Sequence, residues 1–242
     1  MTEKIVGIVL NVRKYNDRNN VVTLYTKERG RLPFIAPMGS GKSSNARRAR
    51  LQPLAVVTTD LNYKASGELQ RLGSVTPVEI WTDLYFHPAK RAIGLFISEF
   101  LYRLLNDTVP DPNLFDYIVS SLRLLDGMKT GVSDFHIPFL VSLLTFSGIQ
   151  PDISKCQKGY VFEFGSGSFV PEMEVRGPHI GGSEASFIPT ILRINFSNMK
   201  CLRLNAMNRR QILYGLLNYF SYHFPGLGSL KSPEILREIF ES

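Results

Sequence analysis

Cysteine is scarce in this chain. Cys156 and Cys201 are the only two among 242 residues, far apart and in no paired motif. A disulfide-dense scaffold is excluded, and two free thiols in a reducing compartment are expected. The four histidines (His87, His136, His179, His223) are scattered without ligand spacing, so no cluster offers the roughly four soft ligands of a structural zinc site. No apolar run approaches the roughly 20 residues that span a bilayer. The apolar run at residues 5–10 is too short for a secretory segment, and Asn11 and Arg13 follow it closely. A cytoplasmic protein without a membrane segment is expected. Catalytic signatures are missing too: there is no Ser/His/Asp spacing, no paired-carboxylate motif and no HExxH, and Asp60, Glu68 and Glu79 do not cluster as a metal nuclease requires. The expectation is a non-enzyme with no cofactor. Internal repeats and low-complexity segments are also absent.

What is present is an uneven charge. Residues 1–80 hold 13 Lys/Arg against 6 Asp/Glu, whereas residues 81–242 hold 15 of each. The whole net charge of +7 therefore lies in the first third, which points to an anionic partner there. The length suits one large domain or two small ones, with burial of roughly 70–75% of the unfolded surface, so no metal or disulfide is needed to fold.

The first third reads as strands. Residues 4–14 are rich in β-branched side chains, and 16–20 (NDRNN) form a turn cluster. Residues 21–26 and 31–36 are further strands around the tight turn 27–30. Residues 37–49 read as a basic loop. Residues 54–63 and 69–79 complete five strands around a turn at 64–67. Five strands in so short a span, joined by hairpins, predict a small antiparallel barrel.

Composition changes after Ile80. Helical spacing runs over 88–105 and 114–125, and over 134–147 up to Gly148. An aromatic hairpin, YVFEFGSGSFV, follows at 160–170, then a glycine-bearing loop at 176–186. A long apolar helix covers 208–224, and Ser232 caps a short last helix through Phe240 with Pro233 behind it. The chain is α+β, divided into residues 1–80 and 81–242.

Residues 29–50, RGRLPFIAPMGSGKSSNARRAR, carry the functional question. Residues 36–43 match the letters of a phosphate-cradling loop, with alanine for the first glycine. On that reading the protein is a nucleotide hydrolase. The motif needs a buried parallel strand before it and a helix of several turns after it. The five-strand pattern offers no such crossover, and Pro53 limits any helix. The other reading is a nucleic-acid interface. From Arg29 to Thr59 there are six basic residues (Arg29, Arg31, Lys42, Arg47, Arg48, Arg50) and no acidic one. Small barrels bind single strands across one face and the loops beside it. Arg13, Lys14 and Arg18 extend the patch at the first hairpin. Of the interleaved aromatics, Tyr25 and Phe34 are expected in the core, while Tyr15 sits at a turn and suits base stacking. A DNA-independent adaptor with a charged loop is the remaining alternative.

Several motifs, taken in order, resemble the RecO family of bacterial recombination mediators. They are VVTLYTKERGRLPFIAPMGSGKSS, RRARLQP, GELQRLGSVTP, PDPNLFDYIVSSLRLLD and FHIPFLVSLLTFSGIQPDISKC. The resemblance implies a five-stranded oligonucleotide-binding (OB-fold) barrel followed by a mostly helical domain with a small hairpin. It implies single- and double-stranded DNA binding, strand annealing and recombinase loading without nucleotide hydrolysis. The implied partners are RecR and the C-terminal tail of single-strand-binding protein. On the barrel, the DNA-binding positions carry over to Lys42, Arg47, Arg48 and Arg50, and then to Arg13, Lys14, Arg29 and Arg31. For the acidic, apolar-ended tail, Lys200, Arg203, Arg209 and Arg210 are the candidates. Many members have a four-cysteine zinc site beginning Cys-x-x-Cys; here Gly159 stands three beyond Cys156, so no metal is expected and Cys156 becomes a buried thiol.

Overall fold

Alternating and β-branched apolar residues build three long antiparallel strands first. β1 (Glu3–Lys14), β2 (Asn19–Thr26) and β3 (Gly30–Pro37) pair in chain order. Gly30 takes φ 66° in the second turn, a conformation that strains other residues. The computed structural model describes residues 2–37, 42–62, 69–106, 109–202 and 204–241, leaving aside the side chains of 42–44, 183, 202 and 241. They form two compact units, residues 1–128 with 230–239 and residues 129–229 with 240–242.

In the first unit, β4 (Val56–Leu61) pairs with the free side of β1. The single strand expected over 69–79 is two short pieces, β5 (Gln70–Arg71) and β6 (Val75–Pro77). β5 pairs in parallel with β3, and β6 pairs antiparallel with β4, giving the order β5-β3-β2-β1-β4-β6. One short segment thus carries both edges of the sheet. The link from Arg71 to Val75 can reach at most roughly 14 Å. The sheet must therefore curl until its edges nearly meet, as in an open barrel compatible with an OB-fold. Gly73 sits at this crossing, where a Cβ would lie 2.8 Å from the Asp60 carbonyl oxygen. A bulge between Val9 and Asn11 adds to the bend of β1.

The expected flexible loop over 37–49 is in part a helix, α1 (Lys42–Arg50). Alanine and arginine favour helix, and Arg47, Arg48 and Arg50 in its last turn complement the negative end of the dipole. It needs no apolar stripe, because the next residue, Leu51, is buried with Ile5, Val9, Phe34 and Val57 in the core inside the sheet.

α2 (Pro88–Leu104) buries Ile93, Phe96, Ile97, Phe100 and Leu101, as their spacing predicts, and lies against β1. Ser98 Oγ there donates to the Leu10 carbonyl at 2.7 Å. α3 (Pro112–Gly127) is capped by Asp111, whose carboxylate accepts from the Asn113 and Leu114 amides. At the far end of α3, the Asp126 carboxylate accepts from the amides of Thr82, Asp83 and Leu84 and from the Thr82 hydroxyl, at 2.7–3.1 Å. Burial pushes this carboxyl up, but those hydrogen bonds outweigh it and hold it below the usual range. Buried Lys90 closes the knot, bonding Asp83 and the Asp126 carbonyl. α7 (Ser232–Glu241) begins at Ser232 rather than after it. Its N-terminus is capped from α2: the Glu99 carboxylate accepts from the Lys231 and Ser232 amides and the Ser232 hydroxyl. An ionised carboxylate is a strong acceptor for these donors at the helix N-terminus.

The second unit holds α4 (His136–Phe146), with Gly148 at φ 69° just beyond it. The aromatic hairpin is β7 (Tyr160–Glu163) and β8 (Ser168–Pro171). The stretch read as a glycine loop holds β9 (His179–Ile180), which pairs with β7, and α5 (Gly182–Leu192). Pro189 inside α5 masked its helical pattern. α6 (Ala206–His223) is the long helix, and its Tyr219 packs edge-on to Phe162 and Phe164. Cys156 is half-buried rather than buried, and it and exposed Cys201 are free thiols. Among the described residues no three His, Cys, Asp or Glu side chains converge as a metal site, and no helix is long and apolar enough to cross a membrane.

Candidate nucleic-acid interface

Strand register sorts the basic residues of the sheet into two ends. Lys14 pairs with Asn20, and Asn19 with Pro37, so the β1–β2 hairpin and the end of β3 lie together. Tyr25 pairs with Arg31 and Thr26 with Gly30 at the opposite end. From Arg31 to Pro37 the strand rises roughly 20 Å.

At the hairpin end, Arg13, Lys14, Tyr15 and Arg18 are all exposed. Lys14 meets Asp17 at 2.7 Å, but both are mostly in solvent, where such a pair is weak. α1 is tied to the same end. Half-buried Arg47 donates to the Pro37 carbonyl at 3.5 Å. Arg50 donates to the Val75 carbonyl at 3.1 Å, so the helix is fastened to β3 on one side and β6 on the other. Exposed Arg48 bonds Asn45 Oδ1 at 3.4 Å. A guanidinium carries about five N–H donors, so contacts of this kind help to position it. Lys42 opens α1. Its side chain and residues 38–41, the glycines of the phosphate-loop letters among them, lie outside the described residues, as does Tyr63.

At the opposite end the cations are engaged within the fold. Arg29 pairs with Glu3 at 2.8 Å, and Lys27 with Asp116 at 2.7 Å. Arg31 donates to the carbonyls of Tyr102 and Leu105 at 2.8 and 3.3 Å and stacks over the Tyr102 ring at 4.5 Å. It caps the C-terminal end of α2. The structure thus brings Arg13, Lys14 and Arg47 to one end of the sheet, ties Arg50 to β6 at Val75, and sets Arg29 and Arg31 apart. Tyr25 and Phe34 are core residues as expected, while Tyr15 is 58% exposed.

A helix does follow the phosphate-loop letters, contrary to expectation, but their context is wrong for nucleotide binding. β3 is antiparallel to β2, and its parallel partner is only the two-residue β5. β4, which follows α1, pairs antiparallel with β1 and is not adjacent to β3. Asp60 on β4, which could pose as the magnesium ligand of such a site, accepts from Ser74 Oγ.

In the second unit, the four tail-binding candidates do not act together. Arg209 forms a half-buried pair with Asp134 at 2.7 Å, each side chain 14% exposed, and also reaches the Leu204 carbonyl. Lys200 donates to Thr130 Oγ1 at 2.8 Å. Arg203 lies outside the described residues. Arg210 lines a cleft of about 1350 Å³ that Phe162, Phe187, Ile212, Tyr214 and Tyr222 also line. Sequence reasoning missed this cleft, since one of its walls is built by the hidden helix α5. Phe187, 60% exposed, was a signal only once that helix was known.

Comparison with known proteins covers nearly the whole chain. The family described as "Recombination protein O N terminal" matches residues 1–81, and "Recombination protein O C terminal" matches residues 87–234. Similar relatives named DNA repair protein RecO occur in Phocaeicola vulgatus and Bacteroides fragilis. Each is 31% identical, over 99% and 100% of this chain respectively and 100% of the relative. Another, from Porphyromonas gingivalis, is 32% identical over 97% of this chain and 98% of its own.

Proposed function

The chain belongs to the Recombination protein O (RecO) family, and on that premise we propose that it works in DNA repair and recombination as a DNA-binding mediator. It anneals complementary strands and, with RecR, helps load recombinase onto strands coated by single-strand-binding protein, without hydrolysing nucleotide. It acts in the cytoplasm on the nucleoid. The observation that carries this reading is the gathering of Arg13, Lys14 and Arg47 at one end of a curled sheet, with Arg48 and Arg50 on the same helix as Arg47. Arginines held beside the sheet suit a phosphate backbone, and no base-reading motif accompanies them. The nucleic-acid-binding domain is drawn at residues 1–80 and the helical remainder at 81–242, a division supported by the limits of the two family matches. The tail of the coating protein, acidic with an apolar end, fits the aromatic cleft beside Arg210 better than the positions of Lys200 and Arg209.

Annealing of complementary strands without nucleotide, across salt, tests the proposal. Wild type is compared with a variant carrying Lys42→Ala, Arg47→Ala, Arg48→Ala and Arg50→Ala. Annealing that is steeply weakened by salt and lost in the variant is expected. A requirement for ATP and magnesium would overturn it in favour of a hydrolase. DNA binding indifferent to the charge removal would favour an adaptor.

A further inference from the structure

The tip of the β1–β2 hairpin combines features that the basic patch alone does not require. Tyr15 stands at this tip 58% exposed, a large aromatic surface left in water. Its backbone is fixed rather than loose: the Tyr15 and Asn16 amides both donate to the Asn19 carbonyl at 3.1 Å. The Asn16 side chain accepts from the amides of Arg18 and Asn19 at 3.0 and 2.9 Å, an Asx-type turn that holds the apex in one shape. Arg13 and Lys14 precede the ring and Arg18 follows it, all exposed. By contrast, Tyr25 and Phe34 on the strands below are wholly buried. Among the described residues the barrel thus presents an exposed aromatic ring on a fixed turn, flanked by cations, beside the end of β3 that receives Arg47.

We infer that this hairpin makes the interface selective for single strands, with Tyr15 stacking on an unpaired base while Arg13, Lys14 and Arg18 hold the phosphates beside it. The inference rests on the DNA-binding reading and adds the strand preference that charge alone cannot supply. Phosphates attract cations on a duplex and on a single strand alike. A π-face at the protein surface gains only from a base that is not already stacked in a helix, and every base has such a face, so the preference is independent of sequence. Fixing the turn in advance spares the ordering cost on binding.

The test uses the full chain and its variants Tyr15→Ala and Tyr15→Phe. Each is titrated against an oligothymidylate, against a duplex of equal length, and against a single strand carrying a fluorescent adenine analogue that is quenched on stacking. Tyr15→Ala should bind the single strand about 5- to 150-fold more weakly, the range that loss of one base–aromatic stack produces. It should also lose the quench, leaving duplex affinity unchanged within about twofold. Tyr15→Phe should behave as wild type, because it keeps the ring. Equal weakening on both DNAs would overturn the inference in favour of a structural role for the hairpin. Unchanged single-strand binding would overturn it too, and would leave Tyr15 to a protein partner. If wild type bound neither DNA while remaining folded, the DNA-binding reading itself would fall. If wild type bound but only the α1 arginine variant lost affinity, the inference alone would fall.

Discussion

Removing charge from the two ends of the sheet should produce opposite signatures. On the proposed DNA-binding reading six cations meet phosphates: Arg13, Lys14 and Arg18 at the hairpin end, and Arg47, Arg48 and Arg50 on α1. Each phosphate neutralised on a single strand contributes about 0.7 to the slope of log affinity against log salt, so six give a slope of about −4. Over a rise in salt from about 50 to 200 mM, affinity should then fall about 300-fold. With Arg47→Ala, Arg48→Ala and Arg50→Ala combined, the slope halves and the same rise costs only about 20-fold. At the opposite end, Arg29→Ala with Arg31→Ala removes two charges of the same sign but should leave the slope unchanged. Its effect should be on stability. Arg31 gives up two hydrogen bonds to the end of α2 and a stack on Tyr102. That loss should cost about 1–3 kcal/mol, whereas the exposed Arg29–Glu3 pair adds little. Fluorescence anisotropy of a labelled single strand across salt, beside urea denaturation of the same variants, measures both quantities. If the Arg29/Arg31 variant lowers the salt slope as much as the α1 variant does, the assignment of the interface to one end is wrong.

Two further outcomes concern the fold. Asp126→Ala should lower unfolding free energy by about 3–5 kcal/mol in urea titrations, because the amides of Thr82, Asp83 and Leu84 lose their acceptor, and Asp126→Asn should fall between it and wild type. An alanine variant as stable as wild type would show that the knot at 82–84 does not hold the chain there. Buried His136 in the second unit is held down to about 3, first by burial and then by the Arg209 charge, so it stays neutral in the folded state. The unfolded histidine gains a proton below about pH 6.5, so the stability it contributes is full above that pH and is lost as pH falls toward the folded value. By about pH 4.5 the loss should be on the order of 3 kcal/mol, and His136→Leu should flatten this acid limb. An identical pH slope in the variant would exclude His136 as its source.

Much of this protein could be read locally. The long strands follow from residues that favour a pleated surface, and α2, α3, α4 and α6 from apolar spacing that needs no knowledge of partners. The concentration of positive charge in the first third, and the motifs shared with the RecO family, are also properties of the chain alone. α1 escaped because its helix is stabilised by alanine, arginine and one buried leucine beyond its end, not by an apolar face. α5 escaped because proline interrupts its pattern. The split of the fifth strand depended on two distant edges bidding for one short segment. The basic residues show the division most plainly. Composition pointed to an anionic partner for the first third, and one basic run held Arg29, Arg31, Arg47, Arg48 and Arg50. Only the tertiary structure decided that Arg31 is committed to the end of α2, and that Arg47 is tied beside the hairpin end. The reason is physical: a guanidinium is claimed by whichever acceptors folding brings within reach, and those acceptors lie some seventy residues away for Arg31 but ten for Arg47.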